Sequence, residues 1–209
     1  LEAIRQGLKL EQWILMGHSW GAFLTLAYAA QYPEQVQALV HLNGTGVDKD
    51  WQKVYRINRR KALAPTEQLE YLNLKQDFDS ACAGGKRRSG QRLKALNFKA
   101  DVHNPEHVTS LLKQHQYSVQ PQIQAALIDD WNTCLNQDSF ISQVKSLTCP
   151  ALFIHGNADP RPSMGAQELA AHLPLGQYLE LSDCGHYPWI EAADPLQKHL
   201  QSFLSSLQT

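Results

Sequence analysis

The pentapeptide Gly17-His18-Ser19-Trp20-Gly21 constrains this chain more than any other stretch, because it sets a glycine-framed serine between two runs of different character. Trp13-Ile14-Leu15-Met16 before it reads as a short buried strand. Residues 22–30 after it (AFLTLAYAA) read as a helix that ends before Pro33. A serine at the crest of a sharp strand-to-helix turn sits on strained backbone. The residues two before and two after it must be small enough for the chain to pass itself closely, and Gly17 and Gly21 answer that need. The pattern predicts strand, tight turn and helix, with the Ser19 hydroxyl presented at the turn.

The remaining chain extends this unit. Leu1, Ile4, Leu8 and Leu10 are spaced for one face of a helix. Leu1 is not an initiator methionine and the strand follows at once, so the expectation is the C-terminal part of a longer protein. Residues 35–43 form a second strand, stopped by Gly44-Thr45-Gly46. A helix between two such strands implies a right-handed crossover and a parallel sheet. From about Asp48 to Ser146 the pattern turns helical and polar. One segment opens at Trp51, Val54 and Tyr55, a second takes Asn104 and Pro105 as cap and first turn, and a third runs from Pro121 to Leu135. Residues 84–90 (GGKRRSG) read as a basic, solvated loop. Strands resume at residues 150–156 and 177–181, separated by a helix over 164–173. A last helix is expected to start at Asp194-Pro195 and to bury Leu196, Leu200, Phe203, Leu204 and Leu207. This predicts an α/β core over residues 1–47 and 146–209, lacking N-terminal strands, with a helical cap inserted over 48–145.

The 209 residues and 43% hydrophobic content suffice for a packed core. Nineteen basic against twenty acidic side chains leave a formal charge of -1, so no overall field selects nucleic acid or an anionic membrane. No apolar run reaches membrane-spanning length and the start lacks a signal-peptide pattern, from which a cytoplasmic location is expected. Cys82, Cys134, Cys149 and Cys184 show no metal or redox spacing and are expected to be reduced, buried thiols. His103 and His107 share a ligand-like interval, but Pro105 between them points to a helix start. No metal and no cofactor is expected.

In a parallel sheet the loops at the C-terminal strand ends share one rim, where ligand sites form. Ser19, Asp159 and His186 each follow a predicted strand and occur in the order serine, acid, histidine. With Gly17-His18-Ser19-Trp20-Gly21-Ala22, the blocks at 155–162 (HGNADPRP) and 185–191 (GHYPWIE) make the chain resemble the α/β-hydrolase superfamily over nearly its whole length. The resemblance implies an α/β-hydrolase fold, a doubly wound and mostly parallel sheet with a helical cap. It also implies a serine hydrolase acting on an ester or amide. Ser-Trp-Gly at the turn and the helical insertion are similar to the proline iminopeptidase group, although that group usually has glycine where His18 stands. Simple esterases commonly carry Gly-His-Ser.

On this resemblance Ser19 is the nucleophile, His186 the base and Asp159 the residue that orients it. The Trp20 backbone N–H is one oxyanion donor at the start of a helix. The second donor, which the resembling proteins place before the serine turn, is missing from this stretch of chain. His18, Trp20, Tyr187 and Trp189 are the candidate substrate-binding residues, and Glu67, Glu70, Asp129 and Asp130 the acids able to hold a free amine. The expected partner is a small-molecule or short-peptide substrate, with no nucleic acid and no membrane. Oligomeric state is not legible. Esterase, aminopeptidase and a ligand-binding protein without turnover all stay open at this point.

Overall fold

The apolar runs become four parallel strands, β1 (Trp13–His18), β2 (Val36–Leu42), β3 (Ala151–Gly156) and β4 (Gly176–Leu181), hydrogen-bonded in that order. The computed structural model describes the backbone of residues 1–80, 83–115 and 120–207, and their side chains apart from 78–80, 83–88 and 121. Helix α1 (Glu2–Gly7) precedes β1, and α2 (Trp20–Gln31) joins β1 to β2. Six helices follow before β3: α3 (Trp51–Lys61), α4 (Pro65–Ser80), α5 (Ala83–Asp101), α6 (His107–Gln114), α7 (Pro121–Leu135) and α8 (Asp138–Lys145). Helix α9 (Met164–His172) joins β3 to β4, and α10 (Pro188–Glu191) and α11 (Ala193–Ser206) close the chain.

Strands β2 and β3 are apolar on both faces because both faces are covered. Leu39, Phe153 and Ala151 meet Phe23, Leu26 and Leu169 on one side. Ala38, Val40, Leu152 and Ile154 meet Leu196 and Phe203 of α11 on the other. Strand β1 lies at one edge of the sheet, with Ile14 and Met16 exposed.

The inserted helices are tied to the core by aromatic stacking. Trp131 of α7 stacks on Phe23 of α2, with ring centroids 4.9 Å apart, and on Trp51 of α3 at 4.6 Å. Helices α4 and α5 pack around Leu63, Leu96 and Ala100 and are braced by Glu70–Arg92 at 2.7 Å and Glu67–Lys99 at 2.5 Å. This pairing corrects the reading of residues 84–90 as a loop, for they lie within α5. Each interior glycine costs a helix about 1 kcal/mol, and the packing and ion pairs farther along α4 and α5 outweigh that local preference. Helix α6 begins at His107 rather than at Pro105, because Asn104 Oδ1 caps the Glu106 N–H in a local turn. Asp194 lies in the first turn of α11 rather than at its cap. Cys134, Cys149 and Cys184 are unpaired thiols and only Cys184 is buried, while Cys82 lies outside the described residues. Among the described residues, no cluster of His, Cys, Asp and Glu is arranged to hold a metal, and no helix is long and apolar enough to cross a membrane.

Besides His18 at the end of β1, two histidines sit within the sheet, His41 on β2 and His155 on β3, both only 2% exposed. Burial, then the neighbouring His155, pushes His41 down to about 3. Burial is also the leading cause that lowers His155. Below pH 6.5 the unfolded chain takes up protons at these positions that the folded chain refuses. Stability therefore falls as pH drops from that point. His41→Gln is expected to reduce the slope of unfolding free energy between pH 6 and pH 4 by up to about 1.4 kcal/mol per pH unit, one proton's worth. Urea unfolding at several pH values measures this, and an unchanged slope would contradict it.

Candidate active site

Ser19 stands between β1 and α2 with φ 56° and ψ -120°, a conformation that costs a non-glycine residue about 1–3 kcal/mol. Its N–H donates to the Leu42 carbonyl at 2.9 Å and its carbonyl accepts from Ala22 N–H at 3.0 Å, so the turn is held at both ends. A Cβ on Gly17 would lie 2.7 Å from Ala22 N and closer still to the Gly21 carbonyl. The reason for Gly21 is corrected here: a Cβ there meets nothing within 4 Å, and it is the Gly21 backbone that needs Gly17 to be bare.

Across the same rim, His186 Nδ1 and Asp159 Oδ2 are 2.7 Å apart, both residues being buried. Asp159 accepts four hydrogen bonds, which fills a carboxylate's capacity. His186 Nδ1 and Asn43 Nδ2, the latter at 2.8 Å, share Oδ2. The Arg161 backbone N–H at 2.9 Å and Arg161 Nη1 at 3.2 Å share Oδ1. Burial alone would raise this carboxyl, but His186, Arg161 and His155 outweigh it and hold the group well below the usual carboxylate range. An ionised Asp159 keeps the His186 proton on Nδ1 and leaves Nε2 as the basic nitrogen.

Asn43, at the end of β2 with φ 48°, is a residue that the sequence reading passed over as a strand end. Its Nδ2 also donates to the Gly185 carbonyl at 3.1 Å, tying acid loop to histidine loop. Asparagine tolerates this left-handed backbone, and its place just before Gly44 on the same rim is the signal available in the sequence.

The histidine loop is strapped by Glu191. One carboxylate oxygen accepts the Gly185 N–H at 2.7 Å, and the other accepts His103 N–H at 2.7 Å and Asn104 N–H at 2.9 Å. Gly185 has no room for a Cβ, which would press on the Asp101 carbonyl and on Val102 Cα. Glu191→Ala frees all three N–H groups and is expected to destabilise the fold by about 1–2 kcal/mol in urea unfolding, with Glu191→Gln recovering part of it. Equal stability of all three proteins would contradict the strap.

His18 places its ring 4.4 Å from that of His186 and 4.6 Å from that of Trp189, and its Nε2 is 2.7 Å from the His186 carbonyl oxygen. Burial, then the neighbouring His186, pushes His18 down to about 3, so it is neutral and donates that hydrogen bond. Trp20 Nε1 is 3.4 Å from the Leu127 carbonyl on α7. Tyr187 is buried against Phe98 and Leu111, while Trp189 is exposed. Of the candidate amine-holding acids, Glu67 and Glu70 are engaged by Lys99 and Arg92, and Asp129 and Asp130 face solvent. Asp159 and His186 are thus brought together. Ser19 is half-buried on the same rim, and among the described residues no hydrogen bond joins its Oγ to His186.

Comparison with known proteins bears on the fold and the family. The chain is 25% identical to a proline iminopeptidase of Lactobacillus delbrueckii subsp. lactis over 215 residues, covering 99% of this chain and 70% of the relative. It is 26% identical to a cis-3-alkyl-4-alkyloxetan-2-one decarboxylase of Shewanella oneidensis, covering 100% of this chain and 65% of that protein. Among solved structures, an alpha/beta fold family hydrolase from Bacillus anthracis superposes with a TM-score of 0.70 at 18% identity, over 97% of this chain and 70% of the other. A proline iminopeptidase from Mycobacterium smegmatis gives 0.62 at 17% identity, over 99% and 69%. The sequence profile of the alpha/beta hydrolase fold matches residues 1–193. A glycine-framed serine on a strained strand-to-helix turn, a parallel sheet and that match together make this chain a member of the α/β hydrolase fold family.

Proposed function

We propose that the protein is a serine hydrolase that cleaves a small ester or amide through an acyl-enzyme on Ser19. The observation that carries this reading is the buried Asp159–His186 hydrogen bond, on the rim where the strained turn presents Ser19. Ser19 Oγ attacks the carbonyl carbon as His186 Nε2 takes its proton. The same nitrogen returns the proton to the leaving group, and water then releases the acyl group by the reverse route. Asp159 holds the tautomer and offsets the imidazolium charge. The Trp20 N–H, in the first turn of α2 and without an intrahelical acceptor, faces the developing oxyanion. His18, Trp20, Tyr187 and Trp189 line the substrate side, beneath a cap formed by residues 48–145. The absence of a Ser19–His186 hydrogen bond among the described residues fits a site whose catalytic hydrogen bonds tighten when substrate binds.

The proline iminopeptidase relatives support an aminopeptidase that releases an N-terminal proline as the sharper alternative. The engaged or exposed state of Glu67, Glu70, Asp129 and Asp130 favours the broader ester and amide reading over it. A ligand-binding protein without turnover is the alternative that the unjoined Ser19 favours. Stopped-flow mixing with 4-nitrophenyl acetate separates these readings. A stoichiometric burst followed by steady turnover supports the hydrolase, whereas a single slow release, or none, supports the binding protein. Prolyl-naphthylamide cleaved faster than the ester would establish the aminopeptidase.

A further inference from the structure

Asp159 is one end of a three-charge chain, with Arg161 at its middle, that reaches into the inserted helices. Arg161 Nη1 lies 3.2 Å from Asp159 Oδ1 and 3.3 Å from Asp101 Oδ1, and all three side chains are largely shielded from solvent. The guanidinium lies over the Tyr55 ring of α3, 4.7 Å from its centroid. Asp101 is the last residue of α5, and its backbone carbonyl accepts the His186 N–H at 2.7 Å. One residue of the insertion therefore grips the backbone of His186 and the cation that grips Asp159.

The sign of these charges matters. A buried arginine against Asp159 fixes the carboxylate but also cancels the negative charge that a protonated His186 needs beside it. A second carboxylate on the same guanidinium nitrogen restores the balance, because Asp101, Arg161 and Asp159 together carry -1, the charge of a lone aspartate. Resting on the serine-hydrolase reading, we propose that Asp101 and Arg161 are a charge-balanced pair of positioning residues. Arg161 fixes the direction of Asp159, and Asp101 keeps Arg161 from quenching its hold on the protonated imidazole.

The other titratable groups facing His186 are His18 from β1, His155 from β3 and the adjoining Tyr187, while Cys184 and Glu191 belong to the same loop, Glu191 holding the Gly185 N–H. Tyr55 stands behind Arg161. These groups are the same in every variant below.

The test is the rate of Ser19 labelling by a fluorophosphonate as a function of pH, in wild type, Asp101→Asn, Arg161→Met and the double variant. Without Asp101 the imidazolium is harder to form. The pH of half-maximal labelling is expected to fall by about half a unit, with plateau labelling about threefold slower. Without Arg161 it rises, and in the double variant it returns to the wild-type position. Loss of packing alone would not move the two single variants in opposite directions. Shifts of one sign in both, or no shift in folded variants, would overturn the proposal. If Arg161→Met does not fold, Asp101→Asn and the double variant still decide the sign.

Failure of wild type to label would instead count against the serine-hydrolase reading. The pair is then tested by the far-downfield proton resonance of the His186–Asp159 hydrogen bond. That resonance is expected to move upfield in Asp101→Asn and downfield in Arg161→Met, and its standing still would overturn the proposal without reference to activity.

Discussion

His186→Ala is expected to lower kcat on an activated ester by about 10⁵- to 10⁶-fold, leaving KM within a few fold, because the proposed triad of Ser19, His186 and Asp159 would act as a unit. His186 is 3% exposed, its Nδ1 is committed to an ionised carboxylate, and its backbone N–H is held by the Asp101 carbonyl. Its position is therefore over-determined, and no described neighbour offers an equivalent base. His18, the imidazole packed at a tilt against it, is held neutral by burial and spends Nε2 on the His186 carbonyl. Steady-state kinetics in a matched His18→Ala control separates the two rings. The His18 variant should lose far less, since its ring packs against the base rather than replacing it. A His186→Ala enzyme within tenfold of wild type would contradict the assignment.

Gly17→Ala is expected to remove about 3 kcal/mol or more of stability, a large part of what a domain of this size has to lose. The added methyl would press on the Gly21 carbonyl and on Ala22 N, which are backbone atoms that only a shift of the whole α2 start could move. Because Ser19 N–H and Ser19 carbonyl fasten that start to β2 and to α2, such a shift also drags the serine off the rim. Gly21→Ala is the internal control. Its Cβ enters open space and alanine is the better helix former, so it should be neutral or stabilising by up to about 1 kcal/mol. Urea unfolding of the two variants checks the contrast, and equal effects would refute the close-approach argument.

These two residues show what the sequence made legible. The serine turn, the parallel strands and the loops carrying Asp159 and His186 are written in contiguous, local patterns: apolar runs, glycines and prolines at their ends, and a fixed chain order. The meeting of Asp159 with His186 follows from topology, since both leave the same end of adjacent strands β3 and β4. The supports around them are not local and were not legible. Asn43 reads as a strand end, Arg161 and Glu191 only as members of the blocks at 155–162 and 185–191, and only three-dimensional packing gives each its hydrogen bonds. The α5 helix was missed for the opposite reason. Its glycines argue locally for a loop, while Leu96, Ala100 and the ion pairs to α4 argue for a helix from a distance. Substrate preference was the least legible feature, because the acids that suggested an amine are spent on lysine, arginine or water in the folded chain.

The central claim is that Ser19 is an activated nucleophile, and active-site labelling tests it without knowledge of the substrate. The protein and its Ser19→Ala variant would be treated with a fluorophosphonate probe and the adduct located by peptide mass spectrometry. The account predicts one phosphonylated serine, on the peptide carrying Gly17-His18-Ser19-Trp20-Gly21, and none in the variant. A folded protein that does not label, or that labels equally with Ser19 replaced, would contradict it.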